Sequence, residues 1–434
     1  MLKLKAHWQI LIALVSATLL ALLFRRVGES PWVDGAVAVA GYLGGLFMLL
    51  LKMIIVPLVV SSVVAGISGL HGVAGFGRLL GKTTGFYAIS SFLAICLGLL
   101  IVNTIQPGLV NGEPNEQIFE AFQAQEASSG EAEKGKVAGA VARGAEQTGF
   151  AQQLGGFFER MIPPNIFTAA ADNGQLLGLI FFSILFAVAM TRLPGEQVGA
   201  LQGVFQGIND TMIVMTRWIM ALAPIGVFGL ILPVIYEAGG GIFVSLGKYF
   251  LTVLLALGLH MFVIMPLLVT LLTRESGWAH LRNMRTALLT AFSTASSSAT
   301  LPVTMRSVQE EAGVSKRVSS FTLPLGATVN MDGTALYECV AVIFVAQVMG
   351  IELAFGAQFM VVLAALLTSV GVAGIPSASL VAIFIILTNS GIPNAEMAVV
   401  ALLSVDRLLD MTRTAVNVFG DSCAALFVDR SERA

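Results

Sequence analysis

The chain has 434 residues, of which 56% are hydrophobic and only 12% are charged. A soluble globular protein carries charge on about a quarter of its residues, so this composition excludes a soluble domain and indicates a polytopic membrane protein. The formal net charge of −2 provides no basic surface, which excludes nucleic acid as a partner. The three cysteines lie far apart in apolar sequence and suggest neither a disulfide framework nor a metal site.

Six apolar runs are long enough to cross about 30 Å of hydrocarbon. They lie near residues 8–24, 36–70, 83–105, 174–191, 211–235 and 243–272. The second run exceeds the thickness of the hydrocarbon core, so we predict that it is strongly tilted or bent near Pro57. The first run lacks a small-residue cleavage site after Phe24, and we interpret it as a retained span rather than a signal peptide.

Between Pro107 and Thr148 the composition shifts to Glu, Gln, Gly, Ala and Lys. Such sequence cannot bury enough apolar surface to fold alone, and it predicts a mobile exposed loop over 107–148. The distribution of Lys and Arg favours a cytoplasmic N-terminus, although Arg25 and Arg26 argue for the opposite orientation. The compact, multi-pass chain with short loops fits a prokaryotic inner membrane.

From about residue 281 onward, polar and small residues interrupt the apolar sequence. Phe292–Pro302 and Ser369–Ala378 each lie between apolar flanks, and we predict that they are the tips of re-entrant helical hairpins, because lipid cannot satisfy non-helical backbone. A helix with its own polar interruption follows each hairpin, at Asn330–Thr334 and at Asp406–Asp421. Broken segments in corresponding positions indicate an inverted-repeat transporter with its site at the repeat interface.

The last of these polar segments is the strongest functional signal in the chain. At about 100° per residue, five polar residues fall within a sector roughly 80° wide on one helix. They are Asp406, Asp410, Arg413, Asn417 and Asp421. Ionised groups at membrane depth cost about 2.5 to 3.5 kcal/mol each, so they normally line a bundle interior or a transport path. This polar stripe favours a membrane transporter.

The residue types indicate what is carried. Backbone N–H groups at Ser296–Ser298 can hold a carboxylate, and Arg413 can bind a second carboxylate through two parallel hydrogen bonds. Asp410 suits an ammonium group, so the set fits an acidic amino acid. The oxygen ligands of Asn330, Asp332 and Asp421, with carbonyls freed by unwinding, suit a hard monovalent cation, for which sodium is the natural candidate.

At these residues the chain resembles the dicarboxylate/amino acid:cation symporter family, the glutamate and aspartate transporters, over essentially its whole length. The matching motifs are Asn330–Thr334, Asp410–Thr414 with Asn417, Gly420 and Asp421, the serines 296–298, and Ala373–Pro376. The resemblance implies an all-α polytopic membrane protein with about eight transmembrane helices and two re-entrant hairpins. It also implies an inverted-repeat elevator transporter that assembles as a homotrimer in the lipid bilayer.

The same resemblance implies a division into a trimerisation scaffold and a moving transport domain. The scaffold would comprise residues 1–80 and 149–240, and the transport domain residues 81–106 and 241–434. The second part of the transport domain would hold the sixth span, hairpin 1 at about 281–312, the seventh span, hairpin 2 at about 355–388, and the eighth span.

Ligands follow from the resemblance residue by residue. The implied substrate ligands are Ser297, Ser298, Thr334, Ala373, Gly374, Asp410, Arg413, Thr414 and Asn417. The implied sodium ligands are Tyr87, Ser90, Ser91, Asn330, Met331, Asp332, Ser369, Val370, Val372, Asn417 and Asp421. Within the first set, Arg413 and Thr334 would bind the substrate's side-chain carboxylate and Asp410 its ammonium. The main carboxylate would go to the Ser297–Ser298 tip and Asn417.

The sequence departs from the family pattern at several positions. Relatives carry an arginine in place of Ala295 or of Met411, and often a glycine in place of Ser379. Arg407 lies at the edge of the polar stripe, and its angular offset argues against its replacing the missing arginine. A structural role is preferred for Asp406 and Arg407. Glu338 resembles a glutamate of the animal acidic transporters that is linked to proton cotransport and potassium countertransport. The alternative for Glu338 is a carboxyl group that stays protonated and hydrogen-bonded.

Several other interpretations fit the same residues. The serine-rich tract could serve only close helix packing, and Asp410 and Arg413 could form a structural ion pair. A carrier of C4-dicarboxylates or neutral amino acids would share the fold, and an anion-conducting channel is a second alternative. No nucleophile with a base partner and no metal-ligand set appears, so an enzyme and a cofactor are not expected.

Overall fold

The structure, a computed structural model, describes residues 6–28, 30–68, 76–115, 161–171, 176–238, 242–371, 378–390 and 395–433, with residues 155, 158, 159 and 392. In this part of the chain the fold is all-α, as predicted, and several of its helices are apolar. The N-terminal half contains α1 (Ala6–Val27), α2 (Pro31–Ser68), α3 (Phe76–Ile105), α4 (Ile166–Ala171), α5 (Leu176–Met190), α6 (Gly195–Ala221) and α7 (Ala223–Ala238).

The C-terminal half continues as a series of shorter helices followed by one long helix. These are α8 (Ile242–Leu259), α9 (Met265–Thr273), α10 (Gly277–Asn283), α11 (Arg285–Thr294), α12 (Ser297–Glu310), α13 (Lys316–Val329), α14 (Asp332–Val348), α15 (Phe355–Gly371), α16 (Ala378–Asn389) and α17 (Ala395–Arg433). A π-helical turn, His260–Ile264, joins α8 to α9. Two short antiparallel strands, β1 (Leu109–Val110) and β2 (Glu113–Pro114), follow α3.

Several helices are long enough to cross a membrane. Among the described residues, the stretches Gly77–Ile105, Leu246–Thr273 and Lys316–Val348 pass by length and composition. Helices α6 and α7 pass only together, and they are bent by 56° at their junction. The 38 residues of α2 would extend about 57 Å at 1.5 Å per residue. The second helix is therefore longer than the hydrocarbon core, as its apolar run predicts.

The first predicted hairpin is seen as α11 and α12, which pack against each other. Only Ala295 and Ser296 separate them, and Ala295 makes the turn with a left-handed φ of 49°. The Ser296 hydroxyl then accepts the Ala299 N–H at 3.2 Å and caps α12. The tip is thus tighter than the Phe292–Pro302 range suggests, because both arms stay helical almost to the turn.

The second predicted hairpin corresponds to α15 and α16, which also pack against each other. Helix α15 ends at Gly371 and α16 begins at Ala378. Residues 372–377 between them lie outside the described residues. The predicted ligands Val372, Ala373 and Gly374 fall in that range.

Helices α13 and α14 are two halves of one span, interrupted at Asn330 and Met331. Asn330 is extended, with φ −104° and ψ 106°, and Met331 has φ −131° and ψ 62°. In contrast, α17 is continuous over its 39 residues. The polar stripe therefore lies on an unbroken helix, and carbonyls freed by unwinding are found at the α13–α14 break and not within α17.

The helices pack in two groups. In the first group, α7 packs on α1 and α2, and α2 packs on α5 and α6. In the second group, α3, α8 and α15–α17 surround α14, whose residues Asp332–Ala346 are all buried. The groups meet where α2 contacts α13 and α15, where α5 contacts α15, and where α7 contacts α17.

The start of the predicted 107–148 loop is folded against α14 rather than free. The Gly108 N–H donates to Gln347 Oε1 at 3.0 Å, and Lys248 Nζ donates to the Gln106 carbonyl at 2.9 Å. These contacts precede the β1–β2 hairpin, and Asn115 at its end is buried. The rest of the predicted loop, from residue 116, lies outside the described residues.

We expect Gly44→Ala to destabilise the crossing of α2 and α7. A Cβ at Gly44 would lie 2.7 Å from the Leu230 nitrogen and 2.8 Å from the Gly229 carbonyl carbon. These are backbone atoms of α7, so the helix itself would have to shift. Overpacking of this kind costs about 1 to 3 kcal/mol, and the temperature of unfolding in detergent should fall.

Gly45→Ala is the matched control, because a Cβ there meets nothing within 4 Å. Alanine is a better helix former than glycine by up to about 1 kcal/mol, so this variant should be as stable as the parent or more stable. Equal losses in the two variants would show that the close crossing is not what stabilises this region.

Candidate functional site

Buried polar side chains meet in the second helix group, around the α13–α14 break and the stripe on α17. None of them is more than 6% exposed. They are Ser90, Ser91, Asn330, Asp332, Thr334, Glu338, Asp406, Asp410, Arg413, Thr414, Asn417 and Asp421. The structure thus gathers most of the residues predicted from the sequence into one region.

Asp332, the first residue of α14, forms the centre of one cluster. Its Oδ1 accepts hydrogen bonds from Ser90 Oγ at 3.0 Å and Ser91 Oγ at 2.6 Å, both on α3. His260 Nε2, in the π-helical turn, lies 3.7 Å from the other oxygen, Oδ2. Among the described residues, Asp332 Oδ2 has no hydrogen-bond partner. One face of this buried carboxylate therefore remains available to a ligand.

Asp421 lies next to this cluster on α17. Asn330 Nδ2 donates to Asp421 Oδ1 at 3.0 Å, and Asn330 Oδ1 has no hydrogen-bond partner among the described residues. Gly326 makes room for the group, since a Cβ there would lie within 3 Å of both the Asp421 carboxylate and the Tyr87 hydroxyl. The Tyr87 hydroxyl itself donates to the Thr322 carbonyl at 2.8 Å.

The side chains of Asp332, Asn330 and Asp421 form one oxygen-rich cluster, and the backbone at Gly420 packs closely against it. At Gly420, a Cβ would lie 2.7 Å from Asp332 Oδ2 and 3.2 Å from Asn330 Nδ2. Burying the carboxylates of Asp332 and Asp421 costs free energy unless a positive charge compensates them. Burying Asp332 Oδ2 and Asn330 Oδ1 without hydrogen bonds adds to that cost. Oxygen ligands of this type suit a hard cation, so the donor set fits a monovalent cation such as sodium.

Asn417 links α17 to the start of α14. Its Oδ1 accepts the Gly333 N–H at 2.8 Å and the Thr334 N–H at 3.4 Å, and its Nδ2 donates to Thr334 Oγ1 at 3.1 Å. The amide thereby satisfies N–H groups that a helix leaves unpaired in its first turn. Thr334 and Asn417, both predicted as substrate ligands, are held side by side.

Arg413 lies one turn before Asn417 and is 2% exposed. Its guanidinium donates to Asp410 and to Ser379 on α16. Arg413 Nη1 is 3.8 Å from Asp406 Oδ1, and the guanidinium carbon lies 4.6 Å from the centre of the Tyr337 ring. Arg413 and Asp410, the groups predicted to bind the substrate's carboxylate and its ammonium, therefore pair with each other.

Arg407 also reaches this group. Its Nη1 lies 3.6 Å from Asp410 Oδ2. Arg407 and Asp410 are three residues apart, a spacing at which side chains on a helix are neighbours. Arg407, predicted at the edge of the polar stripe, is therefore close enough to pair with Asp410.

Glu338 connects α14 to the second hairpin. Its Oε2 accepts a hydrogen bond from Thr368 Oγ1 of α15 at 2.8 Å. Its Oε1 has no hydrogen-bond partner in the described part of the chain. Glu338 is fully buried. Its hydrogen bond with Thr368 connects α14 to the first helix of hairpin 2.

The remaining predicted ligands lie apart from these contacts. Ser297 is buried at the start of α12 and Ser298 is exposed, and among the described residues no hydrogen bond joins either serine to α14 or α17. Ser369 Oγ bonds the Leu366 carbonyl within α15, and Met331 packs against Ala382. The Val370 side chain lies outside the described residues. Thr414 Oγ1 bonds the Asp410 carbonyl within α17.

Four residues of the site were not predicted as ligands from the sequence. Ser379 and Tyr337 contact Arg413. Thr368 contacts Glu338, and His260 lies near Asp332. His260 carried a usable signal, because a histidine within an apolar span is itself a functional indication. Tyr337 lies one turn after Thr334 on α14, a spacing that is visible in the sequence. Ser379 and Thr368 reach the site only through contacts between hairpin 2 and the core, which the sequence does not show.

Comparison with known proteins gives one consistent result. Residues 6–431 match the model of the sodium:dicarboxylate symporter family. The chain is 34% identical to the proton/glutamate-aspartate symporter of Escherichia coli (strain K12), over 99% of this chain and 93% of that one. It is 36% identical to the neutral amino acid transporter B(0) of Oryctolagus cuniculus, over 97% and 80%, and 35% identical to the excitatory amino acid transporter 2 of Homo sapiens, over 91% and 74%.

Proposed function

The chain belongs to the sodium:dicarboxylate symporter family, and we propose that it is a secondary active transporter that carries L-aspartate or L-glutamate together with sodium. The observation that carries this proposal is the buried pair of opposite charges, Arg413 and Asp410, beside an oxygen-rich anionic cluster. An acidic amino acid complements the pair, and a cation complements the cluster. The relatives named as glutamate or aspartate transporters support the same assignment.

Substrate binding would exchange one set of charge pairs for another. Arg413 and Thr334 would bind the side-chain carboxylate, and Asp410 would bind the ammonium. The main carboxylate would go to Asn417 and the Ser297–Ser298 tip. The substrate would thus replace the Arg413–Asp410 contact with two charge-assisted hydrogen bonds, from Arg413 to its carboxylate and from its ammonium to Asp410. Charge-assisted hydrogen bonds are stronger than those between neutral groups. The backbone at Ala373 and Gly374 would cover the site from hairpin 2.

The coupling ion is proposed to be sodium, held as a transported ion rather than a resident one. Asp332 and Asp421, with the oxygens of Asn330, Tyr87 and the Ser90–Ser91 pair, supply the donor set, and Asn417 would add its backbone oxygen. A further sodium would lie beneath hairpin 2, near Met331, Ser369 and the backbone at 370–372. The Escherichia coli relative is named a proton symporter, so the identity of the ion requires a direct test.

An elevator movement is proposed from the two helix groups. Helices α1, α2 and α5–α7 would be the scaffold, and α3 with α8–α17 the transport domain. Their contact is apolar at Val59, Ile180 and Ile385, and it is close at Gly66, where a Cβ would lie 2.8 Å from Thr328 Oγ1. Apolar surfaces can slide past each other without breaking hydrogen bonds. A homotrimer of the scaffold is proposed with the same movement.

A carrier of neutral amino acids is the second candidate, because one relative with 36% identity is named a neutral amino acid transporter. A neutral substrate offers no second carboxylate to Arg413. It would therefore have to break the Arg413–Asp410 pair without replacing it, and an unpaired buried charge costs about 3 to 5 kcal/mol. The acidic substrate is favoured on that ground.

Binding to the purified protein in detergent tests this choice. Isothermal titration with L-aspartate, L-glutamate, L-serine and succinate should be run in sodium chloride and again in choline chloride. We expect binding of an acidic amino acid in sodium and none in choline. Tighter binding of L-serine than of either acidic amino acid would reject the acidic substrate.

We expect Glu338→Gln to impair the return of the empty carrier. Sodium-driven exchange of substrate should persist, because the charged pair and the anionic cluster are unchanged. Net uptake and its dependence on pH or internal potassium should fall, since the titratable group next to Thr368 is removed. Exchange and net uptake into liposomes measure the two processes separately.

Glu352→Gln provides the matched control, because Glu352 is exposed in the loop between α14 and α15. That variant should behave as the parent in both assays. If Glu338→Gln also matched the parent in net uptake and in pH dependence, Glu338 would have no part in ion coupling.

A further inference from the structure

Asp410 lies between two guanidinium groups. Arg413 donates to its Oδ1, and Arg407 Nη1 lies 3.6 Å from its Oδ2. The two arginines differ in access, because the Arg413 side chain is 3% exposed and the Arg407 side chain is 18% exposed. One cation is thus enclosed with the carboxylate, and the other approaches it from the more open side.

The two arginines are also held with different strength. Arg413 has contacts to Asp410, Asp406, Ser379 and the Tyr337 ring. The ion pair of Arg407 is longer than a hydrogen bond, and its buried Nε has no hydrogen-bond partner in the described part of the chain. A buried N–H without a partner costs about 1 to 3 kcal/mol. Arg407 is therefore the cation that gives up Asp410 more easily.

Charge balance makes this exchange specific for the ligand. The segment carries two carboxylates, Asp406 and Asp410, and two guanidiniums, Arg407 and Arg413. A ligand with an ammonium group supplies its own cation to Asp410, so Arg407 is no longer needed there. A dicarboxylate without an ammonium group supplies none, and Arg407 then remains as a cation close to Asp410.

We propose that Arg407 determines specificity by compensating Asp410 whenever the ligand brings no ammonium, which lowers the preference of the site for amino acids over plain dicarboxylates. This inference rests on the proposed function, because it assumes that the substrate's ammonium binds Asp410. It adds a residue that acts through Asp410 rather than by contact with the substrate carboxylates. Arg407 is in this sense a positioning residue.

The test compares L-aspartate with succinate, which differs from it by the absence of the ammonium group. The dissociation constant of each is measured in saturating sodium, succinate by displacement of labelled L-aspartate. In Arg407→Gln, the ratio of the succinate constant to the aspartate constant should rise about tenfold, the size expected for a partly exposed charge contact near 1.4 kcal/mol. Arg407→Lys keeps the charge and should keep the ratio close to that of the parent.

A second charge variant and a distant control complete the experiment. Arg407→Glu places a carboxylate beside Asp410, so the ratio should rise further than in Arg407→Gln. Arg306→Gln removes an exposed arginine that pairs with Glu310 at 2.8 Å, away from Asp410, and should leave the ratio unchanged. A purely structural role of Arg407 would weaken both ligands by the same factor.

Each outcome decides the inference. A raised ratio in Arg407→Gln and Arg407→Glu, with the parent ratio in Arg407→Lys, supports it. An unchanged ratio in a parent that binds L-aspartate with sodium overturns this inference alone. If the parent binds no acidic amino acid in sodium, the proposed function is wrong, and the role of Arg407 falls with it.

Discussion

We expect Arg413→Thr to weaken the binding of acidic amino acids by at least about 30-fold and to abolish their uptake. The guanidinium is almost fully buried and forms the cationic half of the Arg413–Asp410 pair. Removing one partner of a buried, hydrogen-bonded charge pair costs about 2 to 5 kcal/mol, which corresponds to a loss of affinity of roughly 30-fold to several thousand-fold. Isothermal titration with L-aspartate in sodium measures the change directly.

The shorter side chain also changes which ligand fits. Asp410 remains, so a substrate ammonium still has a partner, but a second carboxylate has none. Arg413→Thr should therefore bind L-serine or L-alanine better than L-aspartate. Binding of a neutral amino acid would also show that the variant is folded.

Thr412→Ala is the matched control, because Thr412 is in the same helical turn and its hydroxyl bonds the Leu408 carbonyl on the exposed side of α17. That variant should keep the affinity of the parent for L-aspartate. Unchanged affinity for L-aspartate and L-glutamate in Arg413→Thr would refute the carboxylate assignment.

We expect Asp332→Asn to abolish the sodium dependence of substrate binding. The amide keeps the shape of the side chain next to Ser90 and Ser91 but removes the charge that attracts a cation. We expect the apparent affinity for sodium to fall by at least about 30-fold, from the 2 to 5 kcal/mol typical of a buried charge pair that loses one partner. Substrate affinity should fall with it, because the two sites share the start of α14.

Thermal unfolding gives a second and independent measurement of the same change. A cation that binds only the folded protein raises the unfolding temperature, so sodium should stabilise the parent more than choline does. In Asp332→Asn this sodium-specific increase should vanish. In choline the variant should be at least as stable as the parent, because one uncompensated buried charge has been removed.

Asp210→Asn is the control for the loss of an aspartate charge, because Asp210 lies on the surface of α6 and pairs only with Gln206 among the described hydrogen bonds. It should keep the full stabilisation by sodium. A normal response to sodium in Asp332→Asn would mean that the ion binds elsewhere and that the cluster around Asp332 is purely structural.

Much of this fold follows from local patterns in the sequence. The apolar runs predicted the long second helix, and the serine-rich tract predicted the turn between α11 and α12. The motif at Asn330–Thr334 predicted the interruption between α13 and α14. These predictions succeed because lipid imposes a simple rule, that polar backbone must be satisfied inside the protein.

The details that the sequence did not predict depend on side-chain reach and on contacts between distant segments. Arg407 lies at the edge of the polar stripe, and its long stem brings the guanidinium to within 3.6 Å of Asp410, three residues later. Ser379 and Thr368 meet Arg413 and Glu338 only because hairpin 2 packs on α14 and α17. The periodicity of the sequence does not predict contacts between residues that lie so far apart in the chain.

The contact between Arg413 and Asp410 was one of the alternatives that the sequence left open. Residue types assigned one group to a carboxylate and the other to an ammonium, and both assignments describe a protein with its substrate bound. In the structure the nearest opposite charge for each is the other, because they lie three residues apart on one helix. The same two groups are the ones proposed to recognise the substrate.

Uptake by the purified protein in liposomes tests the central proposal most directly. Labelled L-aspartate and L-glutamate are followed under an inward sodium gradient, with choline replacing sodium in one arm and a pH gradient replacing it in another. We predict accumulation driven by the sodium gradient and lost in choline. Accumulation that follows only the pH gradient would contradict the sodium assignment of Asp332 and Asp421, and no accumulation of either amino acid in any arm would contradict the proposed transport function itself.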